Sequence, residues 1–304
     1  MVKNGDAFEL SSSEKQSIPN LMSNQEETDS RVVLYAMYAA SQGYERVKIR
    51  TPDSDIFWIL LHHARSIDIE ILYDTGFGNK KQVINISHLC NHYSQSVCNA
   101  LLGIHGFTGC DSTSAFKGKG KVRPMKLVLK SPSFCSTFSK LGESWEVSDD
   151  LVTEIERFVC VLYGGVKTKL SSVDELRAFM LKAKCDENYS LSVIKNVDFA
   201  AFPPSKACLI EHIRRVNYQV RIWKMANTPI YELPKPSDGH GWLENGEPCW
   251  CEPEWILPPS FADVLDDSRS KHLDGTDDED DDDKPSGPES DMSGSDSESD
   301  SDCE

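Results

Sequence analysis

Residues 46–75 read RVKIRTPDSDIFWILLHHARSIDIEILYDT, and the succession of patterns within them decides the fold class. Arg46 to Arg50 alternates charged and β-branched residues, the period of a half-buried strand. Thr51-Pro52 breaks that alternation, Asp53 supplies a capping carboxylate, and the apolar run IFWILLHHA that follows predicts a helix. Ile67 to Tyr73 alternates again and predicts a second strand. Outward from this unit, Gln82 to Ser87 reads as a strand and His88 to Leu102 as a helix. Upstream, Val32, Val33, Ala36, Met37, Ala39 and Ala40 recur at helical spacing between Glu27 and Gln42, and Gly43 stops that helix. Strands alternating with helices imply βαβ units, so the expected class is α/β with a parallel sheet.

Beyond Asp111 the pattern is helical only, around Val122–Leu129, Asp149–Leu162, Val173–Lys184 and Ser205–Met225. Five segments are expected. Residues 1–24 are polar and Ser/Asn-rich and read as a flexible leader; 25–130 form the α/β part; 131–226 are a helical extension; 227–262 are a Pro/Trp-rich arm laid over the body; 263–304 are an acidic, disordered tail. No internal repeat is visible.

Charge has to be located before it is used. The chain of 304 residues carries a formal net charge of −17, yet residues 266–304 hold 17 of its 49 acids and three of its 32 bases. The body before them is therefore almost neutral and free to carry a basic patch. The longest apolar run, Val32 to Ala40, is nine residues, far short of the roughly 20 that cross a bilayer. No membrane partner is expected. The start, MVKNGDAFEL, has neither the basic flank nor the apolar stretch of a secretory signal, so an intracellular, reducing location is the default. The ten cysteines, with no CxxC pair, then read as packing thiols.

Three groups of acids stand at element boundaries. They are Glu26-Glu27-Thr28-Asp29 opening the first helix, Asp53-Ser54-Asp55 directly after a strand, and Asp111 in Thr108-Gly109-Cys110-Asp111. In a parallel sheet, ligands bind beyond the carboxyl ends of strands, where residues far apart in sequence converge. Oxygen donors suit hard divalent cations such as Mg²⁺. The plainer alternative is that each acid caps a helix or favours its dipole. From Lys117 to Lys140 there are then seven bases and no acid. Gly118 and Gly120 allow close backbone approach, and Lys119 and Lys121 can meet phosphate oxygens; the alternative is a solvated basic turn.

The order of ExD, DxD after a strand, GCD, six residues and GxGK resembles the internal half of the flap-endonuclease-like 5′ nucleases of the PIN-like superfamily, over roughly residues 25–130. The resemblance implies a nucleic-acid phosphodiesterase, DNA ahead of RNA, using two Mg²⁺ or Mn²⁺ ions. It makes Glu27, Asp29, Asp53, Asp55 and Asp111 the metal ligands. It makes Lys117, Gly118, Lys119, Gly120, Lys121, Arg123 and Lys126 the nucleic-acid-binding segment, and it implies nuclear residence. Longer stretches, including HGFTGCDSTSAFKGKGKV, resemble a group of uncharacterised, mobile-element-like animal proteins. The nuclease family opens with a strand bearing an early Asp and with a further helix acid, whereas only 26 residues precede Glu27 and Asp6 is the sole Asp among them. The expected domain is thus incomplete at its N-terminal side. Two alternatives stand beside the enzyme: a nucleic-acid-binding remnant without catalysis, and an interaction module whose acidic tail takes a basic protein.

Six residues within a short span, His88, Cys90, His92, Cys98, His105 and Cys110, invite a zinc reading, but no spacing among them fits a finger or ribbon. They are expected to be packing thiols and buried or partner-bonded histidines, as are His62 and His63. The Cys249-Trp250-Cys251 group has no companion pair and reads as packing. Trp223, Trp242, Trp250 and Trp255 are expected to pack the arm to the body, and Arg214, Arg215, Arg221 and Lys224 to form a solvated helix face.

Overall fold

The computed structural model describes residues 2–3, 6–10, 15–165, 169–183 and 198–248. The first strands, β1 (Val2–Lys3), β2 (Asp6–Leu10) and β3 (Lys15–Ser17), pair antiparallel. The stretch expected as a flexible leader therefore contains a small meander. The order then runs α1 (Thr28–Ser41), β4 (Arg46–Arg50), α2 (Ser54–His63), β5 (Glu70–Thr75), β6 (Gln82–Asn85), α3 (Ile86–His92) and α4 (Gln95–Phe107). Helices α5 (Val122–Lys130), α6 (Pro132–Ser139), α7 (Asp149–Leu162), α8 (Val173–Lys182) and α9 (Lys206–Lys224) follow.

The class is α/β, but the sheet is mixed rather than parallel. Strands β4 and β5 run parallel in register Arg46↔Glu70 through Arg50↔Asp74, with α2 as their crossover. Strand β6 returns antiparallel to β5, pairing Leu72↔Asn85 through Thr75↔Gln82. The cause lies in the link, since residues 76–81 are too few for the dozen or so that a parallel crossover needs.

Two helix boundaries also differ from the expectation. The single helix expected from His88 to Leu102 is two, because Ser94 caps a new start by accepting from the Val97 amide at 3.3 Å. Helix α6 was not anticipated. Ser131 caps it and Pro132 occupies its first turn, where a missing N–H costs nothing.

One continuous apolar core runs from Val33 to Ala226, so the α/β segment and the later helices share an interior. Helix α4 lies at its centre, packed on α2, α5, α6 and α9. From Ala100 to Phe107 every residue of α4 is buried. Gly103 is what allows α6 so near, because a Cβ there would stand 2.3 Å from the Phe138 carbonyl oxygen.

Three buried histidines join the helices around this centre. His105 of α4 meets the Asp55 carboxylate of α2 at 2.7 Å. His212 of α9 meets the Phe107 carbonyl of α4 at 2.9 Å, and His63 of α2 meets the Trp223 carbonyl of α9 at 2.9 Å. Each pair among α2, α4 and α9 is thus fixed by one imidazole. The arm packs back onto the body. Arg215 donates to the Gly241 carbonyl at 2.9 Å, Tyr218 to that of Pro234 at 3.0 Å, and Gln25 to those of Ala226 and Thr228. Trp223 belongs to the core, while Trp250, Trp255 and the Cys249–Cys251 group lie outside the described residues.

Burial lowers the pKa of all three histidines, that of His212 to about 4. The unfolded chain takes up a proton near pH 6.5 while the folded ring does not, so this contribution to stability is complete above neutrality and is lost as pH falls toward 4. Urea unfolding should give a smaller free energy at pH 5 than at pH 7, with a weaker pH dependence in His212→Gln. Equal values for the parent at the two pH values would contradict the arrangement.

Candidate functional site

Three chain segments bring acids to one region. Glu27 precedes α1 at the capping position without making a side-chain cap bond, and Asp29 lies in the first turn. Asp53 does cap α2, accepting from the Asp55 amide at 2.8 Å, so the plain capping role holds for this residue. Asp55 is buried, and Asp111 is exposed on the loop after α4.

Their mutual influence is electrostatic and can be read on two of them. The pKa of Asp29 is pushed up to about 6, first by burial and then by Asp53, Glu27, Asp55 and Asp111. Burial also raises that of Glu27; Asp55, Asp111 and Glu26 add to the rise, while a hydrogen bond from Gln219 at 3.4 Å opposes it. All five acids singled out from the sequence therefore share one local field. Among the described residues, no three His, Cys, Asp or Glu side chains already stand together as a set able to hold an ion.

Beneath the acids a hydrogen-bonded chain runs into the core. The Lys121 ammonium meets His105 Nδ1 at 3.2 Å, and His105 Nε2 meets Asp55 Oδ1 at 2.7 Å. An ammonium has only donors, so it marks Nδ1 as the acceptor and places the proton of the neutral ring on Nε2, pointing at Asp55. Burial holds the His105 pKa down, and Lys121 adds to that effect against the pull of Asp55 and Asp53. Lys121 also donates to the carbonyls of His105, at 3.0 Å, and Gly109. Its role is to fasten the loop bearing Asp111 to the end of α4, and it does not point outward as the phosphate-gripping reading requires.

The rest of the basic segment divides. Lys119 lies over the Tyr163 ring at 3.9 Å, and Lys117 pairs with Asp198 at 2.8 Å. Gly118 and Gly120 are exposed, with φ of +71° and +53° and open space where a Cβ would be. Arg123 and Lys126 are exposed and line a groove along α5 with Lys119, Lys130, Val122 and Leu127, to which Lys121 also contributes although its ammonium turns inward. Lys130 thus joins the residues expected from the sequence. His105 was missed as a site residue, although the only imidazole in the otherwise apolar run NALLGIHGF must find a partner when buried.

Among the described residues, the histidines and cysteines from His88 to Cys110 form no group of three able to hold an ion. Cys90 and Cys98 are buried thiols, and burial, with Cys90 adding, pushes Cys98 up to about 11. No described helix is long and apolar enough to cross a membrane. No family model, curated protein or solved structure matches the chain.

Two expectations follow. Lys121→Ala removes the donor for two carbonyls and a ring nitrogen and should cost about 1–3 kcal/mol in chemical denaturation, whereas Lys126→Ala should stay within about 0.5 kcal/mol. The raised Asp29 pKa means that the folded state holds a proton the unfolded state releases near pH 4. Stability therefore falls from this source between pH 4 and 6. Asp29→Asn should stabilise modestly at pH 7, solvent screening limiting the gain at this partly exposed carboxyl, and should change almost nothing at pH 4; a loss of stability at pH 7 would show that Asp29 is not under repulsion.

Proposed function

We propose that the chain is a metal-dependent phosphodiesterase of nuclease type on a PIN-like scaffold, with its acids facing Mg²⁺ or Mn²⁺ and its α5 groove holding a nucleic-acid backbone. The observation that supports it most is the convergence of Glu27, Asp29, Asp53, Asp55 and Asp111 from three separate segments, where burial first and then the neighbouring acids raise the pKa of Glu27 and Asp29. Helix capping accounts for Asp53 and first-turn placement for Asp29 and Asp55, which leaves Glu27 and Asp111 without either role. Hard divalent cations suit these oxygen donors and would relieve the repulsion. Such ions, when bound, supply water activation and charge neutralisation at phosphate.

The chain's own residues have distinct parts in this reading. His105 holds one oxygen of Asp55 and so orients the carboxylate at the floor of the site. Lys121 keeps the Asp111 loop against α4. Arg123, Lys126 and Lys130 present positive charge along α5, where phosphate contacts would fix the strand without reading its sequence.

A second reading, nucleic-acid binding without hydrolysis, rests on the basic residues along α5 and needs none of the acids. The acidic-tail reading falls on residues outside those described.

One experiment separates the two. Labelled single-stranded, flap and duplex DNA are incubated with the full chain in Mn²⁺, together with Asp55→Asn and Asp111→Asn. Cleavage by the parent and at least a hundredfold loss in both variants is expected. Absence of cleavage, with salt-sensitive binding that each of Arg123→Ala and Lys126→Ala weakens with a salt slope shallower by about one, would leave the binding reading alone.

A further inference from the structure

Helix α3 is a short helix held rigidly at both ends. Asn85 caps its start by accepting from the His88 amide at 2.8 Å, and Arg65 closes its other end by donating to the carbonyls of Cys90, at 2.7 Å, and Tyr93. Its inner face is anchored by Ile86 and Cys90, both essentially without exposure, and by Ser87, whose hydroxyl accepts from the Ile71 amide of β5 at 3.0 Å. The outer face is left with His88 and His92, both exposed and one helical turn apart. Residues four apart on a helix are neighbours on its surface. Here the two Nε2 atoms stand 3.2 Å from each other with the rings nearly perpendicular, at 82°.

We propose that His88 and His92 form a two-imidazole chelate for a borderline transition ion such as Ni²⁺, Cu²⁺ or Zn²⁺. An imidazole nitrogen binds Zn²⁺ at about 2.0–2.1 Å, so an ion equidistant from two nitrogens 3.2 Å apart subtends an angle of about 103°. That value lies between the octahedral and tetrahedral ideals. Two neutral imidazoles at this separation can share only one proton between their facing nitrogens, and a cation replaces that proton as the bridge. Because the backbone under both rings is already pinned, binding freezes little besides four side-chain torsions. Cys90 lies between the two in sequence but points into the core at 1% exposure, so it is not a third ligand. The remaining coordination positions stay open to water, which makes the ion exchangeable. The donor type sets this site apart from the acids beside Asp55, since nitrogen ligands select the later first-row metals and carboxylates the harder Mg²⁺ and Mn²⁺.

Calorimetric titration of the untagged full chain with NiCl₂ at pH 7.5 tests the site, with His88→Gln and His92→Gln as surface variants that leave the core untouched. One Ni²⁺ per chain is expected, weakened at least tenfold by either substitution and unaffected by Asp55→Asn. Mn²⁺-dependent cleavage should be unchanged in His88→Gln, so the two ion sites stand or fall separately. Equal Ni²⁺ affinity in the parent and in both histidine variants would overturn the proposal.

Discussion

The contact between His105 and Asp55 is the constraint from which the rest follows. Helix α4 is surrounded by other helices, and a polar ring at its centre is costly unless it finds hydrogen-bond partners. Asp55 engages one and Lys121 the other. Each partner therefore has its place set by the core: the β4–α2 turn on one side, the loop after α4 on the other. His63 and His212 each engage one ring nitrogen on a carbonyl, of α9 and α4 respectively, while His212 Nδ1 is left without a hydrogen-bond partner. The surface acids inherit their positions from this interior arrangement.

Those positions are electrostatically unfavourable. Glu27 and Asp29 each lie in the field of further acids, and a hydrogen bond from Gln219 opposes the rise at Glu27. Asp53 and Asp55 also serve the fold, the first by capping α2 and the second by meeting His105, and Asp29 and Asp55 lie in first turns where the helix dipole favours an acid.

Much of this was legible in the sequence because local chemistry decided it. The β4 strand and helices α1, α7 and α9 fall where periodicity and caps predicted, since Gly43, Ser148 and Ser205 end or start them by side-chain and backbone geometry alone. The five acids were named from their boundary positions. What was not legible depended on distance in space. The direction of β6 follows from the length of a loop, and the split between α3 and α4 from a single serine hydroxyl that competes with a continuous apolar pattern. The role of Lys121 was hidden for a different reason: a lysine in a glycine-rich basic run is indistinguishable by composition from its solvated neighbours, and only the buried carbonyls it meets reveal its inward direction.

The outer margin of β4 bears on how copies of this molecule behave toward one another. Among the described residues β4 pairs with β5 alone, which leaves a row of amides and carbonyls able to accept another ribbon. Arg46, Lys48 and Arg50 stand at every second position along it, exposed. Arg46 and Arg50 are paired with Glu70 and Asp74 of β5, and Lys48 stands between them, so a second ribbon laid along this margin would have to strip water from a row of charged heads.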